Sequence, residues 1–253
     1  MINRDGLGTI MYALSAVLLG IIGLIWHDFA AVWQPIDNLG IAFNRPVVAS
    51  LYAFAFLAAG VATLVPNAAR FGLPVLASLH LLAALGWIPR VIGHAAWNGF
   101  FEMLSLVIAG LVAYARLRTL SYTQAARLIA IGRIVFAVCL LSFGISHFTS
   151  RAETAGMVPA WLPPGQLFWA WATGAFYLLA SLALLIQRQA VLAARLVVVM
   201  MLSFNFLVWL PMLIDKPIHF MWAGNAITFA MAAGAWVIAD SIVDDQRASS
   251  RKS

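Results

Sequence analysis

The sequence predicts an all-α polytopic membrane protein, a bundle of eight transmembrane helices arranged as two parallel four-helix repeats. Three observations lead to this prediction. Hydrophobic residues make up 64% of the 253 residues and charged residues only 9%, compared with roughly half and a quarter in soluble domains. The apolar residues form eight long runs, and the runs of the two halves carry matching landmarks in the same order.

The length of each apolar run indicates a membrane-spanning helix. A bilayer core of about 30 Å needs around 20 mostly apolar residues per helix, and the runs are continuous rather than alternating, which argues against the strands of a barrel. The first run is too long for a usual signal peptide, and its counterpart inside the chain indicates that it is a retained span. The predicted spans are residues 8–26, 47–65, 71–89, 98–115, 128–146, 167–186, 192–210 and 220–239.

The landmarks indicate a tandem duplication. The pattern H-x-x-W-x-G occurs twice, as HAAWNG and HFMWAG, and each copy opens an apolar run. Matched positions lie 120, 122 and 125 residues apart: His27 and His147, Trp87 and Trp209, and His94 and His219. We therefore predict one four-helix repeat at 1–118, a second at 119–240 and a tail at 241–253. Because each repeat has an even number of spans, a pseudo-twofold axis along the membrane normal should relate them.

Basic residues predict the orientation of the spans. Eleven Lys and Arg residues fall on the side of the termini and four on the other, so the positive-inside rule places both termini in the cytoplasm, as expected for a bacterial-type inner (plasma) membrane protein. The tail should be a solvated, mobile end, and Arg133 should reach the cytoplasmic surface by extending its side chain. The residues behind the net charge of +6 are scattered beside the spans. Membrane topology is therefore the preferred interpretation of this charge, and a nucleic-acid partner is not.

Histidines and tryptophans gather at the predicted outer face. Neutral imidazole is the commonest metal ligand, so a metal or haem site is one interpretation of His27, His94, His147 and His219. Their spacing is not that of a compact metal motif, however, and histidine and tryptophan are also typical of the membrane interface. No metal ligand is assigned for that reason. The single cysteine, Cys139, excludes an internal disulfide and a C-x-x-C redox pair.

An acidic residue inside a span is a stronger indicator of function, because a charge there costs roughly 2.5–3.5 kcal/mol on insertion scales. Glu102 lies about one turn into the fourth span, and Arg90, His94 or His80 could pair with it. The two interpretations are a paired structural carboxylate and a proton acceptor or headgroup contact. The second half has Asn225 close to the equivalent position, and Asn205 should donate a hydrogen bond between helices.

The outer loop from 147 to 171 contains the proline-rich stretch VPAWLPP, with Arg151 just before it. Proline restricts the backbone, so this segment should be stiff and should hold Trp161 against the membrane. A rigid lid over an opening in the bundle and a membrane-hugging loop are both compatible with this pattern.

The stretches GISHF, MVPAWLPPGQLFW and ATG at 172–174 resemble the DoxX-like (DoxX/DoxD) family of four-span membrane proteins. The resemblance covers 134–240 well and 17–115 more loosely. It implies a link to membrane redox systems such as thiosulfate:quinone oxidoreduction. Relatives often carry an acidic residue soon after the glycine that matches Gly174, whereas Ala175, Phe176 and Tyr177 follow it here. Glu102 is the nearest substitute.

The preferred functional hypothesis is an accessory or ligand-binding component of a membrane redox or respiratory system, rather than an enzyme. Its ligand would be a quinone or lipid-like molecule, with quinone preferred over haem as a cofactor, and its partners the lipid bilayer and other membrane redox proteins. The oligomeric state is open. The first alternative is an oxidoreductase with haem or metal at the outer histidines. The second is a small-solute transporter, which is disfavoured because the sequence lacks the broken spans expected of one. The predicted binding residues are His27, Arg90, His94, Trp97, Glu102, His147, Arg151, Trp161, His219, Trp222 and Asn225.

Overall fold

A computed structural model describes residues 6–30, 44–92, 97–117 and 119–250, except the side chains of Arg90 and Ser249. Within these ranges the chain is helical, without strands, and eight helices are long and apolar enough to cross a membrane. The predicted all-α, eight-span fold is confirmed. Many large apolar side chains remain exposed on the outside of the bundle, among them Leu51 and Phe54, and this surface contacts the lipid bilayer.

The helices follow the predicted spans closely, with short additional helices between them. They are α1 (Leu7–Trp26), α2 (Arg45–Leu64), α3 (Ala69–Gly86), α4 (Ile88–Ile92), α5 (Asn98–Arg116), α6 (Tyr122–Thr149), α7 (Arg151–Met157), α8 (Gln166–Leu185), α9 (Ala190–Phe204), α10 (Leu210–Asp215) and α11 (His219–Ser250). A π-helical segment at Asn205–Trp209 joins α9 to α10. The seventh span therefore changes its helical geometry near the end away from the chain termini, which the continuous apolar run did not indicate.

Local sequence signals explain where several helices begin. The side chain of Asn44 caps the first turn of α2, and Pro46 occupies that turn, where its missing N–H costs no hydrogen bond. Ser121 and Gln124 form a reciprocal capping box at the start of α6. These caps fix the start of the second span and the start of the second half of the chain.

The eight long helices form a closed ring in which two opposite helices also touch across the middle. Going round the ring, the neighbours are α1, α2, α3, α5, α6, α8, α9 and α11, and α11 returns to α1. In addition α5 and α11 pack on each other across the middle. The first helix of each half therefore packs against the last helix of the other half, so the two halves share one core. Exchanging the halves maps this contact pattern onto itself.

Small residues allow the close approach at the centre of the bundle. A Cβ at Gly234 of α11 would lie 3.2 Å from the Cβ of Ala109 on α5. A Cβ at Gly8 of α1 would lie 2.6 Å from the backbone nitrogen of Val237 on α11. Lipid tails are as apolar as the helix surfaces, so the hydrophobic effect does not drive membrane helices together. Close backbone packing is therefore a main source of attraction between them.

The glycine of each H-x-x-W-x-G stretch receives the indole of a tryptophan from the preceding span. A Cβ at Gly99 would lie 2.1 Å from the ring of Trp87, and a Cβ at Gly224 would lie 2.3 Å from the ring of Trp209. The same contact thus occurs once in each half and explains why glycine is needed at both places. The tandem duplication itself stays a prediction.

Ionic contacts bind α5 and α6 to α11 at the terminal face, the end of the bundle where α1 begins and α11 ends. Arg116 of α5 contacts Asp240 (3.6 Å) and Asp244 (2.9 Å) of α11, and the Gly8 N–H donates to Asp240 (3.3 Å). Arg133 of α6 donates to Asp245 (2.7 Å) and, at 3.1 Å, to the hydroxyl of the fully buried Ser241.

Two expectations about this face were wrong. Arg133 is 8% exposed and binds α11 instead of extending to the surface, because carboxylates of α11 lie within reach of its guanidinium. The stretch from 241 to 250 continues α11, with Ser241 and Ile242 buried, instead of forming a mobile tail from 241 onward. Both errors come from partners that are more than a hundred residues away in the sequence.

The tryptophan contact can be tested with Gly224→Ala. The added methyl group would overlap the Trp209 ring, which is held between helices, and we expect a loss of about 1–3 kcal/mol in the free energy of unfolding. Gly86→Ala is the matched control, because nothing lies within 4 Å of a Cβ there, and it should leave stability unchanged or raise it by up to about 1 kcal/mol. Thermal unfolding in mild detergent measures both. Equal stability of the two variants would contradict the contact.

Candidate functional site

The predicted outer site divides into separate places at the histidine face, the end of the bundle opposite the termini, where α1 and α6 end and α11 begins. His147 packs on Tyr177, which is within electrostatic reach of Glu102, whereas His219 and Trp222 pack against α1. His27 lies at a third place, beside α2. His94 and the side chain of Arg90 lie outside the described residues. Those of the eleven predicted residues that the structure describes therefore lie at more than one place.

Tyr177 packs on His147 and lies within electrostatic reach of Glu102. Its ring centroid lies 5.1 Å from that of His147 and 5.7 Å from that of Phe143. The charge of Glu102 acts electrostatically on the Tyr177 phenol across the interior of the bundle. The phenol hydroxyl also lies 3.5 Å from the sulfur of Met201. Helices α5, α6, α8 and α9 thus each contribute one polar or polarizable group.

Asn205 and Asn225 continue this arrangement one turn nearer the histidine face. Asn205 follows Met201 by four residues and so lies on the same side of its helix. Its side-chain amide donates to the backbone oxygen of Asn225 (2.7 Å) and also contacts the Asn225 side chain. The predicted interhelical hydrogen bond of Asn205 is confirmed. Below, "second-half cluster" denotes Glu102, His147, Tyr177, Met201, Asn205 and Asn225.

The second-half cluster combines buried and accessible members. Tyr177, Met201 and Asn205 are buried, whereas Glu102, His147 and Asn225 are half-buried. Among the described residues the Glu102 carboxylate has neither a hydrogen bond nor an ion pair. The cluster therefore combines stacked aromatic rings with an unpaired acidic group within electrostatic reach of Tyr177, and part of it is reachable from outside the protein.

His80, which the sequence offered as a partner for Glu102, belongs instead to the first half. It is fully buried, and its Nδ1 lies 2.9 Å from the Leu76 oxygen and 3.0 Å from the Tyr12 hydroxyl. Tyr12 donates in turn to the backbone oxygen of Leu106 (2.9 Å). His80 is therefore a hydrogen-bonded core histidine that joins α1, α3 and α5.

Trp26, His219 and Trp222 form an aromatic contact between α1 and α11. The ring centroid of Trp26 lies 5.9 Å from that of His219 and 6.1 Å from that of Trp222. The ion pair of Asp28 and Arg45 (2.8 Å) acts electrostatically on His219. These rings pack the first and last helices together, and they are not neighbours of Tyr177 in the ring of helices.

The remaining predicted residues lie on the surface. His27 ends α1 in a left-handed conformation (φ 49°), and its Nδ1 lies 3.0 Å from the Ser50 hydroxyl beside a shallow groove of α2. Trp97 is 43% and Trp161 68% exposed, and Arg151 is exposed at the start of α7. Because its side chain is largely exposed, Trp161 does not form a buried lid over the second-half cluster.

The histidines do not converge on a metal site in the part of the chain that the structure describes. No group of three histidine, cysteine, aspartate or glutamate residues lies close enough there to hold a metal ion. His147 belongs to the second-half cluster, His219 to the aromatic contact with α1, and His27 to the groove at α2. The structure thus gives these three histidines different neighbours.

Sequence reasoning missed Tyr177 and Met201 as members of the site. Tyr177 was noticed only because it follows Gly174 without the acidic residue of the family pattern, and Met201 had the appearance of an ordinary core residue. A possible signal was the tyrosine itself, because a phenol deep in an apolar span needs a polar partner.

The family comparison concerns the helices that carry most of this cluster. Residues 128–209 match the DoxX family model, from the start of the fifth span to the end of the π-helical segment. The chain is DoxX-like over this segment. His147, Tyr177, Met201 and Asn205 lie inside the match, and Glu102 and Asn225 lie outside it. Neither the curated proteins nor the solved structures contain a match.

The DoxX match confirms the resemblance drawn from GISHF and MVPAWLPPGQLFW. The matched segment, residues 128–209, is similar to the DoxX family, which is often linked to redox or respiratory systems, and the chain has eight helices that could cross a membrane.

Proposed function

We propose that this DoxX-like protein is an accessory component of a membrane redox or respiratory system and binds a quinone or lipid-like molecule at the second-half cluster. The observation that carries the proposal is the Glu102 carboxylate, which lies inside a span with no polar partner among the described residues. A bound molecule would supply the missing partner.

The cost of the unpaired carboxylate supports a functional role for it. An acidic side chain in a span costs roughly 2.5–3.5 kcal/mol on insertion scales, and such residues are typically found where a ligand, ion or proton pathway requires them. Arg116 and Arg133 do not offset this cost, because both form ion pairs with α11 at the terminal face. Glu102 lies near the opposite end, in the first turns of α5.

The surroundings of Glu102 suit a ring-shaped headgroup. The ring centroid of Tyr177 lies 5.7 Å from that of Phe143 and 5.1 Å from that of His147. Aromatic side chains stack favourably on a planar ligand ring. Pockets of this kind typically combine apolar walls with a few convergent polar groups. An isoprenoid or acyl tail would lie along the apolar helix surfaces.

Divergence between two duplicated halves would explain why the chain has one such cluster. At the spacing of 120 to 125 residues found between the halves, Glu102 corresponds to Ile227 and Tyr177 to Phe56. We infer that the two halves arose by tandem duplication, that the second half of the ring kept the polar set, and that the first half became a packed core around Tyr12 and His80.

We further propose that both termini lie in the cytoplasm of a bacterial-type plasma membrane, following the distribution of basic residues. Impermeant maleimide labelling of single cysteines tests this, because the native Cys139 is fully buried. Lys216→Cys on the histidine face should react in intact cells, and Ser250→Cys should react only after the membrane is permeabilised. Labelling of Ser250→Cys in intact cells would contradict the orientation.

Glu102→Leu tests the binding role of the carboxylate. A short-chain benzoquinone and its hydroquinone are titrated into protein in lipid nanodiscs, with tryptophan fluorescence as readout. The affinity of the tighter-binding form should fall by about tenfold, the loss of one good polar contact. Thermal stability without ligand should rise, because an unpaired buried charge is removed.

Glu153→Gln on the exposed surface of α7 is the matched control and should change neither quantity. Unchanged affinity in Glu102→Leu would contradict the proposal. So would a fall in affinity together with a fall in stability, because Glu102 would then be a structural residue.

A further inference from the structure

We propose that the second-half cluster selects the reduced, hydroxyl-bearing form of its ligand, an aromatic diol (a quinol), over the quinone. The inference rests on the proposed function and deepens it, because it names the oxidation state that the site prefers. Its basis is an imbalance between the hydrogen-bond donors and acceptors of the cluster.

Most donors of the cluster are already engaged within the protein, and the exception is the NH2 group of the Asn225 side chain, whose Oδ1 accepts from Asn205. The Asn205 amide group donates to the Asn225 backbone oxygen, which can only accept, so the orientation of this amide is fixed. The Tyr177 hydroxyl is directed at the Met201 sulfur. His147 Nδ1 lies 2.8 Å from the Phe143 backbone oxygen, which places the ring proton of the neutral imidazole on Nδ1.

Acceptors on three residues are left over, compared with one donor group at Asn225. Asn205 is 8% exposed, and its Oδ1 has no hydrogen-bond partner among the described residues. The Glu102 carboxylate is also unpaired there. With its proton on Nδ1, the neutral His147 ring has a lone pair at Nε2 as its second polar atom. Helices α5 and α6 and the π-helical segment after α9 thus contribute acceptors to one cluster.

A hydroxyl-bearing ring complements this set, and a quinone does not. The two hydroxyls of a quinol can donate to carboxylate, amide or imidazole acceptors, and a donor facing a charged acceptor forms one of the stronger hydrogen bonds. The carbonyl oxygens of a quinone only accept, so they would leave the acceptors of the cluster unpaired. Sites built to hydrogen-bond a hydroxyl discriminate strongly against analogues that lack it.

The test compares three ligands with the same short tail, a benzoquinone, its hydroquinone and the hydroquinone bis-methyl ether, under anaerobic conditions with the full-length protein in nanodiscs. The hydroquinone should bind at least about tenfold more tightly than the other two. Selective binding of the reduced form should also raise the midpoint potential of the bound two-electron couple by about 30 mV for each tenfold preference.

Glu102→Gln provides a variant of nearly the same shape that adds a donor. Its amide can donate to a quinone carbonyl, so the preference for the hydroquinone should shrink several-fold, mostly through tighter binding of the quinone. Glu153→Gln should keep the wild-type preference.

Each contrary outcome has a distinct meaning. Equal or tighter binding of the quinone or of the bis-methyl ether by the wild-type protein would overturn the donor–acceptor inference and leave the binding proposal standing. Absence of binding by all three ligands would overturn the proposed function as well. An unchanged preference in Glu102→Gln would overturn the role of the carboxylate as acceptor.

Discussion

The packing of each half's first helix against the other half's last helix is the constraint on which the rest of the structure depends. It requires α1 to approach α11 closely enough that Gly8 touches the backbone of Val237. The last helices of the two halves, α5 and α11, also approach closely across the middle, where Gly234 faces Ala109. Small residues at these contacts supply the dispersion energy that holds membrane helices together. The Arg116 contacts to Asp240 and Asp244 close the α5–α11 interface at the terminal face.

This arrangement also determines where the polar side chains come together. Because α5 packs against both α11 and α6, Glu102 of the first half faces residues of the second half. The second-half cluster is therefore made by both halves, and a separate four-helix unit would lack either the carboxylate or the aromatic rings. The first half of the ring, with Tyr12 bonded to His80, is satisfied internally and offers less to a ligand.

Features with a local cause were predictable from the sequence. The eight spans follow from the length and composition of single apolar runs, and the bond of Asn205 follows from the need of any amide in such a run for a partner. The position of Arg133 and the course of the chain after 240 depended instead on which distant helices are neighbours. The membership of Tyr177 and the separation of His147 from His219 had the same cause, since residues at one depth can lie on helices that never touch.

The most direct test of the account is whether the first and last spans are neighbours. In a Trp26→Cys/Trp222→Cys protein with a protease site between α5 and α6, a short bismaleimide should link the two cysteines within one chain, because their native rings lie 6.1 Å apart. After cleavage the two halves should remain joined at the mass of a single chain, and the Trp26→Cys protein should separate. Separation of the halves in the double-cysteine protein would contradict the shared core and, with it, the second-half cluster.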